Sequence, residues 1–246
     1  MPNWYCVLCR YRELSRVEPT LCERCGGTNC FGLEETVDFR SQSKSADEWL
    51  KHAAFNRVPT GDSILDKLLM GGIVEGATVL LWGKGGSGKS RLALRWSSHI
   101  GTSQIWSLEM AGALTAFSAQ SAGADMSKLI IEEQITPMSE LYKVIVLDSL
   151  SELPPETGQR LCAELKTWAK RTKTIVFVIV HITKGGEYAG RGWIRHWPDY
   201  EFRVSQARKV AGTRVSVLKS RFSPLGDVVV PLVAKESQST PPRETP

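Results

Sequence analysis

Gly83, Lys84, Gly85, Gly86, Ser87, Gly88, Lys89 and Ser90 spell a complete G-x-x-x-x-G-K-[ST] phosphate-binding loop. Glycines let backbone N–H groups close around phosphate oxygens, and the helix N-terminus that such a loop enters adds partial positive charge. Lys89 brings a full charge to the β- and γ-phosphates and Ser90 a hydroxyl for Mg²⁺, while Arg91 extends the nucleotide-binding segment into the first helical turn. The loop follows Ala77-Thr78-Val79-Leu80-Leu81-Trp82 and precedes Arg91-Leu92-Ala93-Leu94-Arg95-Trp96, the strand-to-helix setting that the motif requires. A glycine-rich turn that matches by coincidence is the competing reading.

Three further strand ends carry groups that make sense beside a nucleotide. Lys143-Val144-Ile145-Val146-Leu147-Asp148 ends a buried strand in a carboxylate, at the edge where open α/β sheets bind ligands. Asp148 is expected to share Mg²⁺ with Ser90; capping the next helix is its alternative role. Gln104-Ile105-Trp106-Ser107-Leu108-Glu109 ends in the candidate for polarising the attacking water, against an ordinary glutamate at a helix start. His181 ends Ile175-Val176-Phe177-Val178-Ile179-Val180 and is placed to sense the γ-phosphate, or else is a satisfied strand-end histidine. Beyond it, Lys184 and the glycine-rich stretch 185–197 interleave Arg191 and Arg195 with Trp193 and Trp197. Guanidinium groups on phosphates and indoles under bases suit single-stranded DNA, and packing of the indoles on their own sheet or on a neighbouring subunit is the other reading.

Four cysteines form two pairs, Cys6 with Cys9 and Cys22 with Cys25, in a C-x₂-C-x₁₂-C-x₂-C pattern. Each C-x₂-C hairpin aims two thiolates at one point, so two hairpins complete a tetrahedral Zn²⁺ site. Disulfides are the alternative, disfavoured in a reducing compartment. The expected role of the zinc is to stabilise a unit too small to bury its own core.

These groups need a scaffold that the chain of 246 residues is long enough to build. Hydrophobic content of 42%, charged content of 23% and a net charge of +5 describe a globular protein whose charge permits a polyanionic partner without demanding one. No stretch reaches the ~18 uninterrupted apolar residues of a membrane span, and the start lacks a signal-peptide pattern, so a cytoplasmic protein without a membrane partner is expected. Strands at 77–82, 104–108, 143–148 and 174–180 alternate with helices from 89, near 111–122 and at 155–171, and strands follow at 213–219 and 227–233. Alternation of this kind predicts a parallel sheet flanked by helices. The expected organisation is a ribbon at 1–33, a polar linker at 34–56 with a short helix at 47–54, an α/β core at 57–234 and a disordered tail at 235–246.

The ordered set of motifs resembles the bacterial RadA (Sms) recombination ATPases, a branch of the RecA-like P-loop group. The residues that carry the resemblance are the four-cysteine ribbon, Thr60-Gly61 with the segment Leu65 to Gly76, the phosphate loop, Asp148-Ser149, His181-Ile182-Thr183-Lys184, Ala189-Gly190 and Lys219-Ser220-Arg221-Phe222. The resemblance implies a RecA-like ATPase core behind a zinc ribbon, working as a homo-hexamer with ATP and Mg²⁺ on single-stranded or branched DNA in recombination, branch migration or repair. A recombinase or a replication protein is the implied protein partner. Lys219-Ser220-Arg221-Phe222-Ser223 stands where that family has K-N-R-F-G, which assigns Lys219 and Arg221 to a neighbouring subunit's catalytic site; exposed strand charges are the alternative. Full-length relatives continue into a protease-like domain, and the sequence reads as a short form without it. Ser107-Leu108-Glu109-Met110 is also similar to DnaB-type replicative helicases, and a non-motor ATP switch with the ribbon as a protein-docking module is a further reading.

Overall fold

Val144-Ile145-Val146-Leu147 and Ile175-Val176-Phe177-Val178-Ile179-Val180 have no polar face, so as strands they need cover on both sides. The computed structural model, which describes residues 3–9, 11–14, 19–28, 31–33, 56–182, 192–207 and 212–231, supplies it. After the N-terminal strands β1 (Asn3–Cys6), β2 (Arg12–Leu14) and β3 (Phe31–Leu33), the chain runs through β4 (Arg57–Val58), α1 (Ser63–Leu68), β5 (Ile73–Val74), β6 (Thr78–Gly83) and α2 (Lys89–Ile100). It continues through β7 (Ser103–Ser107), α3 (Gly112–Ser121), β8 (Leu129–Glu132), β9 (Val144–Asp148), α4 (Pro155–Thr172), β10 (Ile175–His181), β11 (Tyr200–Gln206), β12 (Gly212–Ser220) and β13 (Gly226–Pro231).

Eight strands form one sheet in the order β13-β12-β11-β6-β10-β9-β7-β8. Neighbours from β8 to β11 run parallel, and β12 and β13 return antiparallel. Alternate side chains go to opposite faces. Val79, Leu81, Val146, Phe177 and Ile179 pack with α2 residues Leu92, Ala93 and Trp96, whereas Leu80, Ile145, Leu147, Val176 and Val178 pack with Cys162, Leu165 and Ala169 of α4. This is the RecA-like layout expected from the strand-helix alternation, with the phosphate loop joining the sheet to α2.

The structure adds strands that the sequence pattern does not announce. At 200–206, β11 lies parallel beside β6 with Tyr200, Phe202 and Val204 inward and Arg203 outward. Its alternation, Tyr-Glu-Phe-Arg-Val, is short and is masked by the aromatic and arginine content of the preceding loop. Edge strand β8 is a second addition. The expected helix at 47–54, the tail from 235 and the expected linker apart from Asn56 lie outside the described residues. Among the described residues, no helix is long and apolar enough to cross a membrane.

A separate three-stranded sheet, β2-β1-β3, carries the cysteine hairpins. Among the described residues its buried ones are Cys6, Cys22 and Phe31, with Trp4, Val7, Cys9 and Tyr11 packed against them.

Candidate nucleotide-binding site

β6 ends in Gly83, where a side chain is forbidden on two counts: φ is +157°, and a Cβ would stand 2.1 Å from the carbonyl oxygen of Val204 on β11. The backbone then crosses to α2 through Gly86 and Gly88, both at positive φ, and Gly88 is the last residue before the helix. Lys89 opens α2 and is buried at 3% exposure. Its ammonium donates to the carbonyl oxygens of Gly83 at 3.1 Å and Lys84 at 3.0 Å, so it lies folded under the loop. Burial lowers its pKa, while the carboxylates of Glu109 and Asp148 pull the other way.

Those carboxylates come from the ends of adjacent strands. Ser107 of β7 and Asp148 of β9 are register partners, and the N–H groups of Leu108 and Glu109 both donate to the Asp148 carbonyl, at 2.6 and 3.2 Å. The Asp148 side chain is buried, accepts a hydrogen bond from Ser90 and leaves Oδ1 without a partner. Ser87 Oγ and Ser149 Oγ are equally buried and unpartnered among the described residues. Buried polar atoms are nearly always paired, so three orphans around one glycine-rich loop mark a place built for a polar ligand. Ser90 and Asp148 would hold Mg²⁺ there, a fit in charge and in hard oxygen donors. Glu109 reaches across to β10, its Oε2 standing 2.8 Å from His181 Nε2. The peptide bond from Asp148 to Ser149 is cis.

Burial raises the Asp148 pKa; the Ser90 hydrogen bond opposes this, Glu109 adds to it, and His181 and Lys89 oppose it. A raised folded pKa means that the native state holds this proton more tightly than the unfolded chain does. The group therefore costs stability above its folded pKa, and the cost fades as pH falls toward the ordinary value of 3.8. Asp148→Asn removes the charge, and the ligand-free protein is expected to gain about 1 kcal/mol, or roughly 2–4 °C in unfolding midpoint. The same variant should lose the extra protection that Mg²⁺ adds to nucleotide. A lower midpoint at pH 7 in thermal scans without ligand would contradict this.

Not every candidate gathers here. The Arg91 side chain donates to the Ser121 carbonyl at 3.0 Å, at the C-terminus of α3, so only its backbone N–H, in the first turn of α2, remains available to phosphate. The carbonyl-rich helix end beside it draws the guanidinium there. Lys219 and Arg221 sit at the opposite end of the sheet, because β12 runs against β6: Lys219 pairs with Glu201, which is level with Leu80. They cannot reach the loop of their own chain. Of the residues expected at DNA, Lys184 and Arg191 lie outside the described residues. Trp193 is half-buried. A 3-10 turn at Gly192–Arg195 buries Ile194, Trp193 leans on the core beneath it, and Trp197 is buried with its indole N–H donating to the Cys162 carbonyl at 2.6 Å. Packing against α4 outweighs exposure for these large rings. Arg195 remains exposed.

In the N-terminal sheet, the sulfurs of Cys6, Cys9, Cys22 and Cys25 lie within 4.8 Å of one another. Cys6 to Cys25 is 3.7 Å and Cys9 to Cys22 is 3.5 Å. Tetrahedral Zn–S bonds of about 2.3 Å put sulfurs about 3.8 Å apart, so the donor set fits zinc. None of the described cysteines is in a disulfide. Burial pushes the Cys9 thiol up to about 12. At Cys22 burial is outweighed by hydrogen bonds from the backbone of Cys25 and Arg24, which bring it down to about 7.

No protein-family model matches the chain. Curated relatives do. The DNA repair protein RadA of Aquifex aeolicus is 25% identical over 254 residues, covering 92% of this chain and 56% of the relative. The RadA proteins of Pseudomonas aeruginosa and Chlamydia muridarum are each 28% identical, over 72% and 71% of this chain and 46% and 43% of theirs. The chain is RadA-like. That agrees with the family anticipated from the motifs, and this RadA-like chain spans about half the length of the curated relatives it matches. Among solved structures, one ATPase domain superposes with a TM-score of 0.60 at 15% identity, covering 76% of this chain and 95% of that one. The RecA-like fold is therefore shared well beyond detectable sequence likeness.

Proposed function

We propose that this chain is a RecA-like ATPase that couples ATP hydrolysis to handling of single-stranded DNA in repair or recombination. The observation that carries the reading is the convergence of Lys89, Ser90, Asp148, Glu109 and His181 at one edge of the sheet, around orphaned polar atoms. In it the loop N–H groups and Lys89 hold the phosphates, while Ser90 and Asp148 hold Mg²⁺, which when bound neutralises charge on the phosphate oxygens. Glu109 orients and deprotonates the attacking water. His181, hydrogen-bonded to Glu109, is placed to report the γ-phosphate to the segment that follows it. Lys219 and Arg221, out of reach of their own loop, complete the site of an adjacent copy in a ring, as the RadA resemblance implies. The ribbon at 1–33 holds one zinc ion, and the protein works in the cytoplasm.

DNA handling is supported by the RadA likeness, and the chain's net charge of +5 is compatible with it. Its test is ATP turnover with and without single-stranded DNA over a range of salt, since phosphate contacts weaken steeply as salt rises. Stimulation of several-fold or more that fades with salt is expected. Equal turnover with and without DNA at every salt concentration sinks the motor. The packing of Trp193 on the core favours one second reading, a non-motor switch in which nucleotide sets an assembly state. Under that reading, assembly still follows nucleotide and DNA changes nothing.

A further inference from the structure

One carboxylate organises the basic cluster at the far end of the sheet. Asp199, just before β11, is 8% exposed. Its Oδ2 accepts from the backbone N–H of Thr78 at 3.0 Å and from the Thr78 hydroxyl at 2.8 Å, and its own N–H donates to the Thr78 carbonyl at 2.9 Å. Thr78 is the first residue of β6, so the carboxylate is anchored to the strand that ends in the phosphate loop.

Its other oxygen, Oδ1, faces cations, with Arg221 Nε at 3.3 Å and Lys166 Nζ at 3.9 Å. The backbone N–H of Arg221 also donates to the Asp199 carbonyl, at 3.2 Å. Lys166 is further occupied by the Trp197 carbonyl, and Lys219 by the Arg195 carbonyl at 3.1 Å. Burial lowers the pKa of both lysines, and the nearby Arg221 lowers both further. Arg221, Lys166 and Lys219 thus stand near two acids, Asp199 and the Lys219 register partner Glu201, which leaves one positive charge over. Arg221 is the open member, with a side chain 56% exposed against 22% for Lys166. Asp199 Oδ1 forms its ion pair with Arg221 at Nε, the inner edge of the guanidinium. Among the described residues, the two terminal nitrogens have no ion-pair partner.

We propose that Asp199 is a positioning residue: by holding Arg221 at Nε it aims the two terminal nitrogens at γ-phosphate oxygens bound to an adjacent copy of the chain. This rests on the intersubunit reading of Arg221 above. A guanidinium held at one edge keeps a planar two-pronged donor free in a fixed orientation, which a lysine at 221 could not do. Orientation settled before the reaction lowers the barrier rather than the affinity, so the effect belongs in kcat and not in KM.

The test is ATP turnover of Asp199→Asn, Arg221→Ala and the double variant, alone and mixed with Lys89→Ala subunits. Asparagine keeps an oxygen for Thr78 and removes the charge facing Arg221. Arg221→Ala is expected to lose about 10³-fold or more, and Asp199→Asn on the order of 10- to 100-fold in kcat with KM little changed. The double variant should be no worse than Arg221→Ala. Lys89→Ala subunits have a dead loop but an intact arginine, so mixing them with Asp199→Asn subunits should restore turnover, whereas mixing Asp199→Asn with double-variant or Arg221→Ala subunits should restore none. Should Asp199→Asn fail to fold, Thr78→Val, which removes the hydroxyl donor to Oδ2, is expected to give the same pattern more weakly. Full activity of Arg221→Ala overturns the intersubunit reading and the positioning role with it. A loss in Arg221→Ala beside full activity in Asp199→Asn overturns the positioning role alone, as does a loss in Asp199→Asn that Lys89→Ala subunits do not rescue.

Discussion

Lys89→Ala should silence ATP turnover, with a loss of roughly 10³-fold or more, because it removes the buried lysine charge that the motif directs to the β- and γ-phosphates. The ammonium already lies under the loop, bound by the carbonyls of Gly83 and Lys84. Burial lowers its pKa from 10.5, so its charge costs the ligand-free protein stability below the folded pKa, and the cost fades as pH rises toward the unfolded value. The variant should therefore keep its fold and lose the thermal protection conferred by Mg-nucleotide. Turnover within tenfold of the parent, measured by phosphate release, would remove Lys89 from the mechanism. Any DNA-dependent activity should vanish with hydrolysis.

Removal of zinc should unfold the N-terminal ribbon and leave the sheet of eight strands intact. The ribbon strands are four, three and three residues long, and the buried cluster between them, among the described residues, is Cys6, Cys22 and Phe31. So small a core falls short of the conformational entropy of ordering the chain. Structural zinc contributes about 10–16 kcal/mol at neutral pH, ample to decide the balance. Chelation, or Cys22→Ser, should abolish amide protection around residues 3–33 in hydrogen exchange while β6, β9 and β10 stay protected. Metal analysis should find one zinc per chain before chelation. Ribbon amides that stay protected without metal would show that the sheet stands without the cation.

Much of the site is legible without the fold, for a physical reason. A phosphate loop is a local object, since its glycines, Lys89 and Ser90 act within eight consecutive residues. A C-x₂-C hairpin is just as local. Asp148 and His181 are legible because unbroken apolar runs locate buried strands, and parallel strands put their ligand groups at their C-terminal ends. The Arg91 side chain answers to Ser121 of α3, 30 residues further along the chain, a contact that no local pattern shows. β11 escapes the pattern because its alternation of five residues is short and follows a segment whose arginines and tryptophans suggest another use. Trp193 and Trp197 can be weighed as stacking faces or as core, and only the position of α4 decides between them.

The sequence by itself determined which chemical groups the protein has and the local backbone that displays each of them, because spacing along the chain and hydrophobic period are short-range properties. Tertiary structure decided which of these groups meet. Strand order sets His181 against Glu109, 72 residues earlier in the chain, and places both beside Asp148 and Lys89. The antiparallel return of β12 sends Lys219 and Arg221 to the other end of the sheet, beside Asp199. Neither outcome is written in any local pattern, because strand order and direction depend on how the whole apolar surface closes over both faces of the sheet. The phosphate loop therefore names a ligand, and the sheet decides which side chains stand beside that loop and which stand at its other end.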